Sequence, residues 1–360
     1  MKPPIRVLVV DDSAMMRKLI PQMIQKDKEI EVVGTAINGN FALRKIEELR
    51  PHVITLDLEM PGLNGIETLK QIMRTHKTPV IVVSSYSTEG ASITMKALGL
   101  GAVDFVAKPT DLQPISEVEQ ELIAKIKAAA TSKGVCALPE TPVKVRKTAS
   151  FSNKPASKVI AIGISTGGPN TLQYLLSQLP GDFPGSIVIV QHMPENFTRM
   201  FAQRLNDSCA LRVREAQSGD LLLAGRVLIA PGNHHVRVRQ MRLADVVSLS
   251  NDEKVNGHRP SVNVLFHSLA KGFGARGVAL LMTGMGDDGV EGMGAVRDAG
   301  GTTIAQSEES CVVYGMPRVA IQRGYAQSAV SLEALAPTLQ ALCAPERGAS
   351  TGASAGTNSG

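Results

Sequence analysis

The stretch VIAIGISTGGPNTL, residues 159–172, decides how the second half of this chain folds. A short apolar run ends at a serine, Ser165, set among Gly163, Gly167 and Gly168. Pro169 follows where a helix would open, a position that suits its fixed φ and missing N–H. A buried strand turning sharply into a helix is the unit of a parallel sheet covered by helices. The glycine-rich turn has two readings, a phosphate cradle or a displayed nucleophile. A P-loop needs GxxxxGK[ST], and no lysine lies here. The dinucleotide fingerprint GxGxxG would put Ser165 on its second glycine. Both templates fail on residues. GISTG does satisfy G-x-S-x-G, the strand-to-helix elbow that lifts a serine hydroxyl above a sheet. Backbone N–H groups opening the next helix would face a developing oxyanion.

Outward from this turn, further strand-like runs follow at SIVIV (186–190), RVLIA (226–230), VALLM (278–282) and TTIA (302–305). Leu172, Leu175, Leu176 and Leu179 form an apolar helical stripe between two of them. VRVRQMRLADVVSLS (236–250) reads as an antiparallel addition. Upstream, IRVLVV (5–10), EVVGTA (31–36), HVITLD (52–57), VIVVSS (80–85) and VDFVAK (103–108) alternate with helical periodicities such as Met16, Leu19, Ile20 and Met23. The expected fold is therefore α/β twice over. A flavodoxin-like N-terminal domain with a five-stranded parallel sheet occupies residues 1–129. A doubly wound, mostly parallel catalytic domain occupies 158–344. Residues 130–157 are rich in Ser, Thr, Pro and Lys and read as a linker, and 345–360 as a low-complexity, disordered tail.

Composition narrows the function classes. Aromatics are 3% of residues and there is no Trp, so a stacking platform for single-stranded nucleic acid is disfavoured. The net charge of +5 is mild, and no helix-turn-helix or basic recognition helix is visible. Cys136, Cys209, Cys311 and Cys343 have no metal-ligand spacing and read as free thiols. No run approaches the ~20 apolar residues of a membrane span, and no signal peptide is evident. The expectation is a cytoplasmic protein with neither nucleic-acid binding nor membrane insertion.

In the first half, polar residues recur at strand ends. Asp11 and Asp12 follow the first run, Asp57 ends the third, Ser84 the fourth and Lys108 the fifth. Ligands of open parallel sheets gather at the carboxyl ends of strands. Carboxylates meeting there require a cation, and such oxygens suit Mg²⁺. VVDDS, LDLEMPGLNG, VVSS and KP together resemble the receiver domain of bacterial response regulators. The resemblance implies Asp57 as phosphoacceptor, and Asp11, Asp12, Asp57 and the carbonyl of Glu59 as Mg²⁺ ligands. Ser84 and Lys108 would read the phosphoryl group. It further implies a cis Lys108–Pro109 bond, and Phe105 in the place of an aromatic that reports phosphorylation.

In the second half the serine needs a base and the base an acid. IVIVQHMP puts His192 at the end of the next strand. LLMTGMGDDG ends an apolar strand with Asp287 and Asp288. His234, His235, His258 and His267 are also present, and only position favours His192. The chain order Ser, His, Asp differs from the Ser, Asp, His of α/β-hydrolases, so a different α/β fold is expected. GISTGGP, QHMP, GHRPSVNVLF and TGMGDDG in this order closely resemble the chemotaxis protein-glutamate methylesterase family (CheB). The resemblance implies Ser165 as nucleophile, His192 as base and Asp288 as acid, with the N–H groups of Met285 and Thr166 forming an oxyanion hole. Asn263 departs from the family's common RPSVDVLF, a difference that bears on a local charge or cap and not on the triad.

The implied activity is hydrolysis of γ-glutamyl methyl esters on chemoreceptor helices and deamidation of receptor glutamines, without a cofactor for that chemistry. A chemotaxis histidine kinase would be the phosphodonor. The receiver is expected to cover the Ser165 mouth until Asp57 is phosphorylated. The alternative from another class is a binding output domain whose Ser165 loop holds a ligand without turnover.

Overall fold

The computed structural model describes residues 3–109, 114–131 and 153–344. The expected tail and most of the expected linker lie outside these residues. The N-terminal domain runs β1 (Ile5–Val10), α1 (Ala14–Ile24), β2 (Ile30–Ala36), α2 (Gly39–Leu49), β3 (Val53–Asp57), α3 (Gly65–Thr75), β4 (Val80–Ser84), α4 (Thr88–Gly99), β5 (Asp104–Ala107) and α5 (Ile115–Thr131). Its strands form one parallel sheet in the order β2-β1-β3-β4-β5. The central strands VITLD and VIVVS are buried at every position, as continuous apolar runs in a two-sided sheet must be. Ser13, Asn38, Asn64 and Ser87 each accept a backbone N–H of the first turn of the helix that follows, which fixes where α1 to α4 begin.

The second domain continues with β6 (Val159–Ile164), α6 (Gly168–Ser177), β7 (Ser186–Gln191), α7 (Glu195–Ser208), β8 (Arg212–Glu215), β9 (Arg226–Ile229), β10 (His235–Gln240) and β11 (Asp245–Ser250). Then come α8 (Val262–Phe273), β12 (Gly277–Leu281), α9 (Val290–Asp298), β13 (Thr302–Gln306), α10 (Met316–Gln322), β14 (Ser328–Val330) and α11 (Leu332–Cys343). Seven strands make a wholly parallel sheet in the order β14-β13-β12-β6-β7-β9-β8. The antiparallel pairing expected around residues 236–250 is the separate β10–β11 hairpin.

Side chains of β6 alternate between the two faces of this sheet. Ile160 and Ile162 join the core under α6, α7 and α11, whereas Val159 and Ala161 join the core under α8, α9 and α10. The first of these cores does not stop at the domain edge. Met95, Leu98 and Phe105 of the N-terminal domain belong to the same apolar cluster as Phe197, Phe201 and Leu205. The two domains therefore share buried apolar surface through α4, β5 and α7.

Candidate active site

β6 and β7 pair in register, Ile164 against Gln191, and β12 lies on the other side of β6 with Leu281 against Gly163. The next residue out of each strand, or the loop just beyond it, carries the expected chemistry. The His192 N–H donates to the Ile164 carbonyl at 3.2 Å, and the Ser165 N–H to the Thr283 carbonyl at 3.0 Å. Ser165, His192 and the loop leading to Asp288 are thus brought together at the carboxyl ends of three adjacent central strands. His192 Nε2 lies 2.9 Å from Asp288 Oδ2. Its other nitrogen, Nδ1, is buried and makes no hydrogen bond. The imidazole is therefore anchored by one edge and offers the opposite edge to the site. Ser165 Oγ has no hydrogen-bond partner among the described residues.

Asp288 is nearly inaccessible, and four donors converge on it. Besides His192 it accepts from Ser261 Oγ at 2.7 Å and from the backbone N–H groups of Val262 and Asn263 at 2.7 and 3.1 Å. Those amides open α8, so the carboxylate caps a helix N-terminus. Burial works against its charge, but the bonds from His192, Ser261 and Val262 outweigh it and hold the carboxyl below its usual range. Asp287 makes none of these contacts. Asn263 is buried, and its Oδ1 accepts the Gly292 N–H at 2.8 Å, tying α8 to α9. A carboxylate there could accept the same bond, but would place a second buried negative charge beside Asp288.

The Ser165 turn is built by residues that periodicity does not reveal. Gln191 Nε2 donates to the Ser165 carbonyl at 3.0 Å. Thr283 Oγ1 donates to the Thr166 carbonyl at 3.0 Å and accepts the Val313 N–H, while the Thr283 N–H is held by Gln306 Oε1. Gly167 has φ 76°, the left-handed conformation that lets the chain enter α6 without a side-chain cap. The Met285 and Thr166 N–H groups have no acceptor among the described residues, and Met285 is half exposed. A polar residue at the last position of an apolar strand is the signal that could have found Gln191 and Gln306.

His258 lies flat on His192, ring centroids 3.8 Å apart and planes 6° apart. The turn that delivers it is Asn256–Gly257, with φ of 52° and 77°, closed by reciprocal backbone bonds between Val255 and His258. Burial and the neighbouring His192 push His258 down to about 4, so it is neutral at pH 7.

In the N-terminal domain Asp11, Asp12 and Asp57 bring their oxygens within 4.8 Å of one another. Lys108 Nζ is 2.6 Å from Asp57 Oδ2 and 3.2 Å from Asp11 Oδ2. Burial raises Asp57, against the pull of Lys108. Asp11 Oδ2 is buried in the acidic pocket with Lys108 as its counter-charge. The buried carboxylates of Asp11 and Asp57 and the exposed one of Asp12 are a donor set that fits a hard divalent cation. Glu59 is joined to the pocket through its N–H on Asp57 Oδ1, 3.1 Å. Ser84 Oγ accepts from Thr94 Oγ1 at 2.7 Å and donates to the Gly90 carbonyl at 3.2 Å, so it is held to α4. The cis bond expected at Lys108–Pro109 is not found. Among the described residues Arg259–Pro260 is the cis peptide, and Lys108 is placed by its two ion pairs instead.

The N-terminal domain reaches the serine turn itself. Asp104 Oδ2 accepts the Gly167 N–H at 3.2 Å, and Asn170 Nδ2 donates to the Ala102 carbonyl at 3.2 Å. Phe105 stacks on Phe197 with centroids 4.5 Å apart, and Tyr86 meets Phe197 edge-on. The Arg204 guanidinium bridges Gln173 to the Met95 carbonyl of α4. Lys254 pairs with Glu117 of α5 at 3.3 Å.

The fold and its two sites define a receiver with an acidic phosphoacceptor-type pocket, packed on an α/β domain with serine, histidine and aspartate at neighbouring strand ends. The comparisons agree with that class. The CheB methylesterase family model matches residues 160–339, and the response regulator receiver domain matches 7–119. A protein-glutamate methylesterase/protein-glutamine glutaminase 2 of Koribacter versatilis (strain Ellin345) is 57% identical, covering 96% of this chain and 98% of that one. A protein-glutamate methylesterase/protein-glutamine glutaminase of Syntrophotalea carbinolica is 44% identical over 95% of this chain and 99% of its own length. The crystal structure of the Thermotoga maritima CheB methylesterase catalytic domain is 38% identical, with TM-score 0.51 over 52% of this chain and 99% of that one. The chain belongs to the CheB methylesterase family and carries a receiver domain ahead of the catalytic one.

Proposed function

We propose that this chain hydrolyses γ-glutamyl methyl esters, and deamidates glutamines, on chemoreceptor proteins. Ser165 is the nucleophile, His192 the base and Asp288 the acid that orients it. The observation that carries this reading is the two-sided state of His192. Nε2 is fixed on Asp288 while Nδ1 is buried, unbonded and one strand away from the serine turn. With Nε2–H donated to Asp288, Nδ1 is the acceptor for the Ser165 proton. The hydroxyl oxygen adds to the ester carbonyl, and His192 returns the proton to the departing methanol. Water then repeats the sequence on the acyl-enzyme, releasing the glutamate carboxylate and restoring Ser165. An amide loses ammonia by the same steps. The N–H groups of Thr166 and Met285 face the oxyanion, and each such donor contributes roughly 10²–10³ in kcat.

The receiver controls access. Asp57 accepts the phosphoryl group from a chemotaxis histidine kinase. Asp11, Asp12 and Asp57, with the Glu59 carbonyl, would hold Mg²⁺, which would supply positive charge for phosphoryl transfer. Ser84 and Lys108 turn to the new phosphoryl oxygens. Ser84 then gives up its bonds to α4, the helix that packs on α7, and Lys108 leaves Asp11 at the end of the short strand that carries Asp104 and Phe105. The contacts on Gly167 and Phe197 weaken together, and the serine turn opens. Both partners are on the cytoplasmic side in this reading. Among the described residues no helix is long and apolar enough to cross a membrane.

Methanol release from membranes carrying methylated receptors tests this directly. We expect release that rises with a small-molecule phosphodonor and disappears in Ser165→Ala. Unchanged release from Ser165→Ala, or none from intact phosphorylated protein, would favour a binding domain without turnover.

A further inference from the structure

A groove of about 1110 Å³ runs between α8 and the β10–β11 hairpin. One wall is the outward face of α8, where His267 and Lys271 are exposed one turn apart. The other is β10, with Arg239 and Met241 exposed near the hairpin tip. Neither Arg239 nor Lys271 has an ion-pair partner among the described residues. Among the lining residues Glu291 is the acid, and both it and the neighbouring Asp252 are paired. Asp252 is 2.7 Å from Arg237, and Glu291 is 2.6 Å from Arg323. The groove therefore presents net positive charge to solvent.

Its near end adjoins the triad. Asn263 lines the groove, and the same residue's N–H donates to Asp288 Oδ1 at 3.1 Å. Asn256 also lines it and lies two residues before His258, whose ring covers His192. One loop thus separates the groove from the base. Its far end carries Met241, 59% exposed, next to Leu243, 99% exposed. An apolar contact at one end and cations along the length suit an elongated polypeptide. The lining residues all belong to the catalytic domain; the receiver, which covers the Gly167 turn, meets the loop beside the groove through the exposed Lys254–Glu117 pair.

We propose that this groove docks an acidic stretch of the substrate protein next to the reacting side chain. The inference rests on the esterase reading above. Each turnover leaves a carboxylate, so a segment with several modifiable side chains grows more anionic as it is processed. A basic groove beside the triad holds such a segment while successive esters reach Ser165. Because no receiver residue lines the groove, docking does not require phosphorylation. The unphosphorylated protein binds its substrate protein and awaits the signal to react.

The test uses the full chain with Arg239→Glu and Lys271→Glu combined, and separately Arg239→Gln with Lys271→Gln. These positions are exposed, and an unchanged melting temperature checks that the fold is intact. Two substrates are compared after treatment with a phosphodonor: membranes carrying methylated receptors, and p-nitrophenyl acetate, too small to span the groove. We expect the charge reversal to raise KM for the receptor membranes about tenfold, with kcat and p-nitrophenyl acetate hydrolysis unchanged. The glutamine pair should show a smaller rise. Added salt should raise the wild-type KM and leave that of the reversed variant nearly flat. Unphosphorylated wild type should cosediment with receptor membranes, and the reversed variant should not. An unchanged KM would overturn the proposal. So would equal loss of binding to phosphatidylglycerol vesicles without receptor, which would make the groove a lipid contact. If Ser165→Ala still hydrolyses receptor esters, the esterase reading fails instead, and cosedimentation alone decides the docking surface.

Discussion

The Asp104 carboxylate of the receiver accepts the Gly167 amide N–H of the catalytic domain at 3.2 Å. Gly167 stands two residues after the proposed nucleophile, at the mouth of α6. A buried carboxylate is thereby placed on one of the amides that open the helix, and this is the contact through which the receiver touches the serine turn directly. Asp104 is held in place by Lys125 at 3.3 Å, and burial pushes its carboxyl above the usual range. A hydrogen bond to a charged group contributes about 1.5–3 kcal/mol, a neutral one about 1 kcal/mol. Asp104→Asn keeps the shape and removes the charge. It should weaken closure by about 1 kcal/mol, roughly fivefold in the gate equilibrium. Methanol release from unphosphorylated Asp104→Asn should rise by several-fold, with the phosphorylated maximum unchanged. A basal rate equal to wild type would show that this contact does not hold the gate shut.

Chelation separates the gate from the chemistry. The acidic pocket at Asp11, Asp12 and Asp57 belongs to the receiver, whereas the triad contains no such cluster among the described residues. Adding EDTA before the phosphodonor should abolish activation of the wild type and leave its basal rate intact. The raised basal rate of Asp104→Asn should survive chelation as well. Asp57→Asn should behave as the chelated wild type does. Loss of basal hydrolysis on chelation would place a metal in the ester chemistry and contradict the division of labour.

The architecture was largely legible because the inner parallel strands bury both faces. IRVLVV and VIAIGI fall on β1 and β6 to the residue. The strands that escaped were β8, RVRE, and β14, SAV, the two edges of the larger sheet. An edge strand buries little, so charge or brevity erases its apolar signature. Ser165 and His192, the proposed nucleophile and base, stand out because each directly follows a strong strand, and Asp288, the proposed acid, because it lies in the glycine-rich loop after β12. Thr283 and Ser261 do not, because each acts by hydrogen bonds to backbone or carboxylate that only the three-dimensional register supplies. His258 carries no positional signal in the sequence. Its position on His192 depends on a turn whose distance from β7 no local pattern encodes.

Asp288 should contribute to kcat far more than to substrate binding. Its four donors leave it little access to a substrate, while His192 depends on it for orientation. Asp288→Asn keeps the shape but favours the wrong tautomer of His192. In serine hydrolases such a change costs roughly 10⁴-fold in kcat. The expected result on receptor membranes is a comparable fall in kcat with KM changed little. A loss confined to KM would move Asp288 from the acid's role to substrate recognition.

The His192–His258 stack makes folding stability depend on pH in a stated direction. His258 is mostly buried, and its imidazole is pushed from 6.5 down to about 4 by burial first and by His192 second. Asp288 opposes that shift, and Lys254, paired with Glu117 of the receiver, adds to it. Between pH 6.5 and 4 the unfolded chain binds a proton at this position that the folded chain refuses, so stability rises with pH across the window. The contribution is complete above 6.5 and is lost as pH falls, at about 1.4 kcal/mol for each unit until pH 4. Replacing the ring by a flat apolar one removes the titration and keeps the stack. Denaturant melts of the wild type and His258→Phe at pH 7.5 and 5 should therefore diverge, with the wild type losing about 2 kcal/mol more than the variant. Parallel losses in the two proteins would mean that His258 takes up a proton in the folded state as readily as in the unfolded chain, and that the ring beside His192 is not kept neutral.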